Sequence, residues 1–181
     1  VGSEMCIRDS SHYYQENDAL RGILKEIEDL VQYPLIKNQW LELYDRLDKY
    51  KIHFSRKQNQ LYSVLERHGF DRPTDTMWLL DDFIRDEINK ARSLLDADKD
   101  DEFIAMQQTI VDDLRDLMAK EETILYPTSL ALIPAAEFEQ MKAGDREIGY
   151  AWGQAAQQAD PVKAAPEAKA ADGDLAADLA A

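Results

Sequence analysis

The chain has 181 residues, of which 45% are hydrophobic and 31% charged, and its 36 acidic and 21 basic side chains give a formal net charge of −15 at pH 7. That length fits one domain with a core and excludes two large domains. A surface with this much negative charge repels nucleic acid and anionic lipid, and we therefore expect neither as a partner. No apolar run approaches the roughly 20 residues of a membrane span, and we expect a cytoplasmic protein.

The first ten residues, VGSEMCIRDS, have no helical or strand periodicity and no apolar centre of a signal peptide. They look like translated adapter sequence joined to a truncated gene, so residues 1–10 are predicted to be a non-native leader. The only cysteine, Cys6, cannot form an intramolecular disulfide. A single domain is predicted over residues 11–150.

Apolar residues at helical spacing predict two helices in the first half of this domain. Helix A covers about residues 13–31, and Pro34 follows it as a breaker. Helix B covers about residues 38–68, and Gly69 ends it at a C-cap position. The apolar stripes consist of Leu20, Leu24, Ile27 and Val31 in helix A, and of Leu43, Leu47, Tyr50, Phe54, Leu61 and Leu65 in helix B.

Two further helices follow. Thr74 is a suitable N-cap for helix C, which ends before the charged turn at residues 96–101. Helix D begins near Asp101 and is predicted to be interrupted at Pro127. The short links imply antiparallel neighbours, so the predicted fold class is all-α, an antiparallel up-down four-helix bundle. The stripes of these helices are Met77, Ile84, Ile88, Ala91 and Leu95, then Met106, Ile110, Leu114 and Leu117.

The end of the chain changes in composition. Residues 134–150 predict a short helix, with Pro134 in its first turn and Gly144 at its end. The rest is rich in alanine and aspartate and carries little that could build a core. Residues 151–181 are therefore predicted to be a disordered acidic tail or linker.

Polar residues interrupt the apolar stripes, and a charged side chain inside a bundle is costly unless it is paired, protonated or bound to a metal. Asp81, between Met77 and Ile84, is the sharpest anomaly. Counted from the turns between helices, Glu16 and His53 lie at equal depth, whereas Asp81 and Glu121 differ by about one helical turn. The residues expected to share one layer are Glu16, His53, Gln58, Asp81 and either Glu121 or Glu122, with His12 one turn before Glu16.

Two interpretations of this layer stay open at this point. Bundles that bind two metal ions place carboxylates in such a layer, but polar residues near one end of a bundle are as often merely solvated. Arg56, Lys57 and Lys120 are predicted to lie on solvated faces or in ion pairs. Trp40 and Trp78 are predicted to be core residues. There is no phosphate-binding loop and no Ser–His–acid pattern, so no enzyme is predicted.

Four segments, in order along the chain, resemble the helices of hemerythrin-like HHE cation-binding domains, in the form that is linked to PAS sensor domains. They are QENDALRGIL, HFSRKQNQLYSVLERHG, MWLLDDFIRDE and MAKEETILYPTSLAL. The family pattern reads H-x4-E-N in the second helix, M-W-x-x-H-D in the third and K-E-E-x-I-L-F-P in the fourth. This chain has Gln58 in place of the second-helix glutamate and Asp81 in place of the third-helix histidine.

The resemblance implies a non-haem iron or di-iron site that binds or senses oxygen, nitric oxide or redox state and signals to a downstream PAS domain. The candidate metal ligands are His12, Glu16, His53, Gln58, Asp81, Glu121 and Glu122. A set so rich in oxygen donors suits iron or another divalent cation, or binds no metal at all. Two functions are therefore carried forward: a metal-binding sensory domain for a small diatomic ligand, and a metal-free helical interaction or regulatory module. A catalytic oxidase ranks last.

Overall fold

The structure is a computed structural model that describes the backbone of residues 2–152 and the side chains of residues 12–152. Within that range the chain is helical and contains no strand, which confirms the predicted all-α class. The α-helices are α1 (Gly2–Leu30), α2 (Lys37–Asp48), α3 (Tyr50–Arg56), α4 (Tyr62–Arg67), α5 (Asp71–Asp96), α6 (Asp100–Lys120), α7 (Tyr126–Leu132) and α8 (Ala135–Ile148). Two π-helical turns join neighbours: the first (Lys57–Leu61) links α3 to α4, and the second (Glu121–Leu125) links α6 to α7.

The predicted helix B is divided into α2, α3, the first π turn and α4, and it ends as expected. Gly69 has a φ of +85°, which a residue with a side chain rarely adopts. The N–H of Phe70 donates to the carbonyl of Leu65 and the N–H of Gly69 to that of Glu66, each at 3.0 Å. This pair of bonds is a Schellman motif, so the predicted C-cap is confirmed.

The predicted start of helix C is wrong. Helix α5 begins at Asp71, so Thr74 lies within its first turn. The hydroxyl of Thr74 donates to the carbonyl of Asp71 at 2.8 Å and to that of Phe70 at 3.0 Å. An N-cap side chain would instead accept a bond from a backbone N–H, so Thr74 does not cap this helix.

The predicted interruption at Pro127 is also wrong, because α7 continues through it to Leu132. The N–H of Tyr126 bonds to the carbonyl of Glu121, five residues back, which is the wider spacing of a π turn. Pro127 then falls in the first turn of α7, where a missing N–H costs little.

Helix α8 passes through Gly144, the predicted end, and stops before Gly149, whose φ is +99°. A Cβ at position 144 would meet the side-chain amide of Gln60 in the first π turn, and this flexible side chain would have to move aside. Two residues of the predicted tail also belong to the packed structure: Ala151 is buried, and Trp152 Nε1 donates to the carbonyl of Arg46 at 3.0 Å. The remaining tail, residues 153–181, and the side chains of the leader lie outside the described residues.

The core has an apolar half and a polar half. The apolar half includes Trp40, which meets Phe103 edge-on with ring centroids 5.1 Å apart. The expectation that Trp78 is a core residue is wrong, because its side chain is 38% exposed and its ring lies beside that of Tyr62, with centroids 6.0 Å apart. In the other half, buried charged and polar residues lie among apolar ones such as Phe54, Leu61 and Leu125. In residues 2–152, no helix combines the length and the apolar composition that a membrane span requires.

Candidate functional site

His53 lies at the centre of the polar half of the core. Its Nδ1 is 2.8 Å from Glu16 Oε1, and its Nε2 is 2.9 Å from Glu121 Oε2. Both ring nitrogens therefore contact carboxylates, one from α1 and one from the second π turn. The side chains of all three residues are at most 1% exposed. The structure thus brings together three of the predicted site residues.

Lys57, the first residue of the first π turn, joins Asp81 to this layer. Its Nζ lies 2.6 Å from Asp81 Oδ1 and 2.5 Å from Glu121 Oε2, and neither Lys57 nor Asp81 has any exposed side-chain surface. A lysine is almost never this deeply buried unless it is paired. Here one ammonium links two carboxylates from different helical segments.

Arg56 provides a second buried cation. Its NH1 lies 2.8 Å from each oxygen of Glu16, and its Nε lies 3.9 Å from Asp145 Oδ1. The guanidinium carbon is 4.5 Å from the ring centroid of Tyr13 and 4.8 Å from that of Tyr150. Contact with aromatic faces stabilises a cation that has lost its water.

All six oxygens of the three inner carboxylates, Glu16, Asp81 and Glu121, have a partner. His53, Arg56 and Lys57 contact some of these oxygens, and neutral hydrogen-bond donors contact the others. None of the six oxygens is therefore buried without a partner. The neutral donors are Ala151 N–H to Glu16 at 2.6 Å, Tyr62 hydroxyl to Asp81 at 2.7 Å and Asn17 Nδ2 to Glu121 at 2.8 Å. Asn17 is held in turn by the Tyr50 hydroxyl at 2.6 Å.

Of the other predicted site residues, Gln58 and His12 lie outside this ring of contacts, and Glu122 joins it through Asn17, whose Nδ2 also donates to Glu122 Oε2 at 3.0 Å. Gln58 donates to Asp82 at 3.0 Å, near the surface. Glu122 forms an ion pair with Arg21 at 2.6 Å, and the ring of His12 lies against Tyr150, with centroids 4.6 Å apart.

Sequence reasoning misplaced Arg56 and Lys57. The expectation of a solvated face is wrong for both, and the alternative expectation of ion pairs is correct. A signal was available: Lys57 follows Phe54 by three residues and precedes Leu61 by four, so it fits the apolar stripe as well as Gln58 does. Tyr50 lies on the predicted apolar stripe of helix B, but no pattern in the sequence indicated that its hydroxyl would hold Asn17.

The charges of the layer stabilise one another. Burial opposes ionisation of Glu16, but the Arg56 guanidinium and the His53 ring lower its pKa to about 2. The pKa of Glu121 is likewise held well below its ordinary value, against burial, chiefly by the Lys57 ammonium. Burial disfavours the charged forms of His53 and Lys57, yet the pKa of each is raised, by Glu121 for the imidazole and by Asp81 and Glu121 for the ammonium. Burial raises the pKa of Asp81, and Lys57 opposes that rise.

This arrangement does not fit a di-metal centre. A metal needs carboxylate oxygens with free lone pairs facing one point, and here Arg56 and Lys57 already occupy that side of Glu16, Asp81 and Glu121. Two divalent ions would also add four positive charges to a layer that already holds three basic groups. Among the side chains of residues 12–152, no group of three or more His, Cys, Asp and Glu is arranged to hold a metal ion.

The fold and the site define a helical domain built around a buried layer of paired charges. A family model, the hemerythrin HHE cation binding domain, matches residues 9–129. The chain therefore belongs to this family, and the family resemblance expected from the four sequence segments is confirmed. No curated protein matches the chain.

Proposed function

We propose that this domain is a metal-independent interaction module of the hemerythrin family that binds an amphipathic helix with a basic polar face. One observation carries the proposal: two large apolar side chains are exposed four residues apart on α5, and a third is exposed on the second π turn, where it lines a groove with Thr76 and Met77 of α5. We call this surface the outer face and define it by Leu79, Phe83 and Ile124, which are 71%, 55% and 53% exposed. Single exposed apolar residues are common, but grouped ones mark contact surfaces.

A groove extends the outer face. It has a volume of about 220 Å³, below the roughly 300–1,000 Å³ of pockets that enclose a drug-sized ligand, so it suits protein side chains better. Thr76 lines the groove and precedes Leu79 by three residues, so the groove continues into the apolar stripe of α5. The lining residues are Phe70, Pro73, Thr76, Met77, Lys120, Ile124 and Leu125.

The rim of the outer face is acidic. Asp75, Asp82 and Asp86 follow one side of α5 at helical spacing, and Asp116 lies on α6. Lys120, the basic residue of the groove, already pairs with Asp116 at 2.6 Å. A partner helix with apolar residues at i, i+3, i+4 and i+7 and lysine or arginine on its other face would complement both the stripe and the rim.

We also infer that the long helices run antiparallel, as the sequence predicts. Arg21 and Glu28 in α1 pair with Glu122 and Arg115 respectively, so the partner number falls as the α1 number rises. In such an arrangement α5 and α6 form one wall of the bundle, and the outer face lies on that wall.

The test uses a fluorescent synthetic peptide with leucines on one helical face and lysines on the other, titrated with the full chain and followed by anisotropy. Replacing Phe83 by Ser should weaken binding at least about tenfold, because removing an aromatic anchor at the centre of an interface costs the most affinity. Tyr33→Ser is the matched control, since Tyr33 is 60% exposed away from the outer face. It should leave the affinity unchanged.

Two results would contradict the proposal. Equal binding by the native chain and the Phe83→Ser variant would mean that the peptide is attracted by net charge alone. Equal binding of a second peptide with glutamates in place of the lysines would show that the acidic rim plays no part.

Membership in a cation-binding family favours a second candidate, the metal-dependent sensor. In that case the domain would hold non-haem iron, bind oxygen or nitric oxide and signal to a PAS domain. These features, the cytoplasmic location and the lack of enzyme activity stay predictions. Metal analysis of the purified chain separates the two candidates, because only the sensor requires bound iron.

A further inference from the structure

We infer that Lys57 is a positioning residue for the groove of the outer face. Its ammonium sets the width of the groove, and so the size of the partner side chain that enters it. This inference rests on the proposed function of the outer face. The side chain of Lys57 is wholly buried in the polar layer, so it can act on the groove only through residues of the groove walls.

Two helical segments form the walls of the groove. Helix α5 contributes Thr76 and Met77, and the second π turn contributes Ile124 and Leu125. Met77 and Leu125 are only 7% and 1% exposed, so these two side chains form its floor. The width of the groove is therefore the separation between α5 and the second π turn.

Each wall also carries one carboxylate of the polar layer, close to the floor of the groove. Asp81 follows Met77 by four residues on α5, which is about one helical turn. Glu121 precedes Leu125 by four residues, at the other end of the second π turn. Nζ of Lys57 lies 2.6 Å from Asp81 Oδ1 and 2.5 Å from Glu121 Oε2. A single ammonium thus lies between the two walls.

Neutral partners keep both carboxylates turned towards this ammonium. The Tyr62 hydroxyl donates to Asp81 Oδ2 at 2.7 Å, and Asn17 Nδ2 donates to Glu121 Oε1 at 2.8 Å. The remaining oxygens, Asp81 Oδ1 and Glu121 Oε2, are the two that contact Lys57. These two oxygens would face each other directly if the ammonium were removed.

The ammonium acts as a spacer between the two carboxylates. Without it, both could not stay ionised in a buried site, because like charges repel strongly where the dielectric constant is low. One carboxyl would keep a proton and donate it to the other, and the oxygens of such a bond are only about 2.5–2.7 Å apart. Asp81 would then draw α5 towards the second π turn, and the groove would narrow.

The experiment uses the full chain and the fluorescent peptide of leucines and lysines, followed by anisotropy. A second set of peptides replaces each leucine in turn by tryptophan, and the position with the largest response is the one that enters the groove. In a Lys57→Leu variant, the affinity for the tryptophan peptide relative to the leucine peptide should fall at least about fivefold, because a narrower apolar pocket excludes the larger side chain first. Partial unfolding would weaken both peptides by the same factor and leave this ratio unchanged.

An Arg56→Gln variant is the matched control. Arg56 is a cation buried as fully as Lys57, but its carboxylate partners, Glu16 and Asp145, lie on α1 and α8. The described lining of the groove includes no residue of either helix. The ratio should therefore stay at its native value. An unchanged or increased ratio in Lys57→Leu would overturn the inference, and so would an equal fall in Arg56→Gln.

Failure of the proposed function is distinguishable from failure of this inference. If the native chain binds none of the peptides, the proposed function is wrong, and the groove is then followed by nuclear magnetic resonance of methionine labelled with ¹³C in its methyl group. The Met77 methyl lies among the lining residues, which include the Phe70 ring. Its signal should move in Lys57→Leu and stay in place in Arg56→Gln. A signal that stays in place in both variants overturns the inference.

Helix content, measured by circular dichroism, shows whether each variant folds. If Lys57→Leu is unfolded, the double variant Lys57→Leu with Asp81→Asn replaces it, since its amide can donate to Glu121 and the charge of Asp81 is gone as well. The same fall in the affinity ratio is expected. If the double variant is also unfolded, Lys57 supports the whole fold and not the groove in particular, and the inference is overturned.

Discussion

Arg56 and Lys57 are the residues that distinguish this centre from a solvated polar patch. Each is fully buried and contacts two carboxylates: Arg56 lies beside Glu16 and Asp145, and Lys57 lies between Asp81 and Glu121. Removing one partner of a buried ion pair typically costs about 3–5 kcal/mol, because the other charge is left without compensation. The layer therefore behaves as a unit, in which no single charge can be lost cheaply.

Outside the polar layer, the carboxyl groups of Glu87 and Asp113 interact with each other. This pair predicts that the stability of the domain depends on pH. Burial raises the pKa of Glu87 from 4.5 to about 8, and the Asp113 carboxyl adds to the rise. The folded chain thus prefers the protonated form, so this residue contributes stability below about pH 4.5 that is lost as the pH rises to about 8. In the Glu87→Gln variant, the free energy of unfolding should fall less between pH 4.5 and pH 8 than it does in the native chain. Urea unfolding at several pH values measures this difference.

The control for Glu87→Gln is Asp86→Asn, which removes an exposed carboxylate from the neighbouring position of α5. It should leave the slope of stability against pH close to that of the native chain. An equal slope in the Glu87→Gln variant would mean that this carboxyl titrates normally in the folded chain.

At the scale of the elements, the two π turns meet at the layer. The first begins at Lys57 and the second at Glu121, and these two residues form an ion pair. A π turn holds one more residue than the equivalent α-helical turn, which shifts the positions that face inward. Lys57 consequently points into the core, and Gln58 turns towards Asp82.

Substitution by alanine is expected to change the stability of the domain in opposite directions at two glycines, Gly69 after α4 and Gly22 within α1. Gly69→Ala should destabilise the domain by about 1–2 kcal/mol, because its φ of +85° places a Cβ too close to the backbone. Gly22→Ala should stabilise it by roughly 0.5–1 kcal/mol, since Gly22 lies within α1 with open space around it. Urea unfolding measures both. A Gly69→Ala variant that is as stable as the native chain would contradict the role assigned to this turn, and a less stable Gly22→Ala variant would contradict the second expectation.

For the whole molecule, the paired charges predict stability without metal. The midpoint of thermal unfolding should be the same in the presence of a chelator and in the presence of Fe²⁺ or Mn²⁺, because a ligand shifts stability only when it binds the folded state. A midpoint that falls in chelator and recovers when iron is returned would identify a metal-dependent fold and favour the sensor.

The sequence predicted the helical class, the C-cap at Gly69 and the shared depth of Glu16 and His53, because apolar spacing and turn positions fix these features locally. It failed at Thr74 and Pro127, where a helix can continue if its neighbours satisfy the backbone. It also placed Gln58 in the layer instead of Lys57, since both fit a stripe of regular helical period, and only the π turn separates them.

By itself, then, the sequence determined the family, the order of the helices and the presence of polar residues on inward stripes, since each follows from residue type and spacing along one chain. Only the tertiary structure decided what those polar residues face. Whether Asp81 and Glu121 meet a metal, water or an ammonium depends on side chains more than twenty positions away, and their approach is set by packing between helices. In this fold that packing brings Lys57 to both carboxylates, and long-range contacts of this kind leave no periodic trace in the sequence.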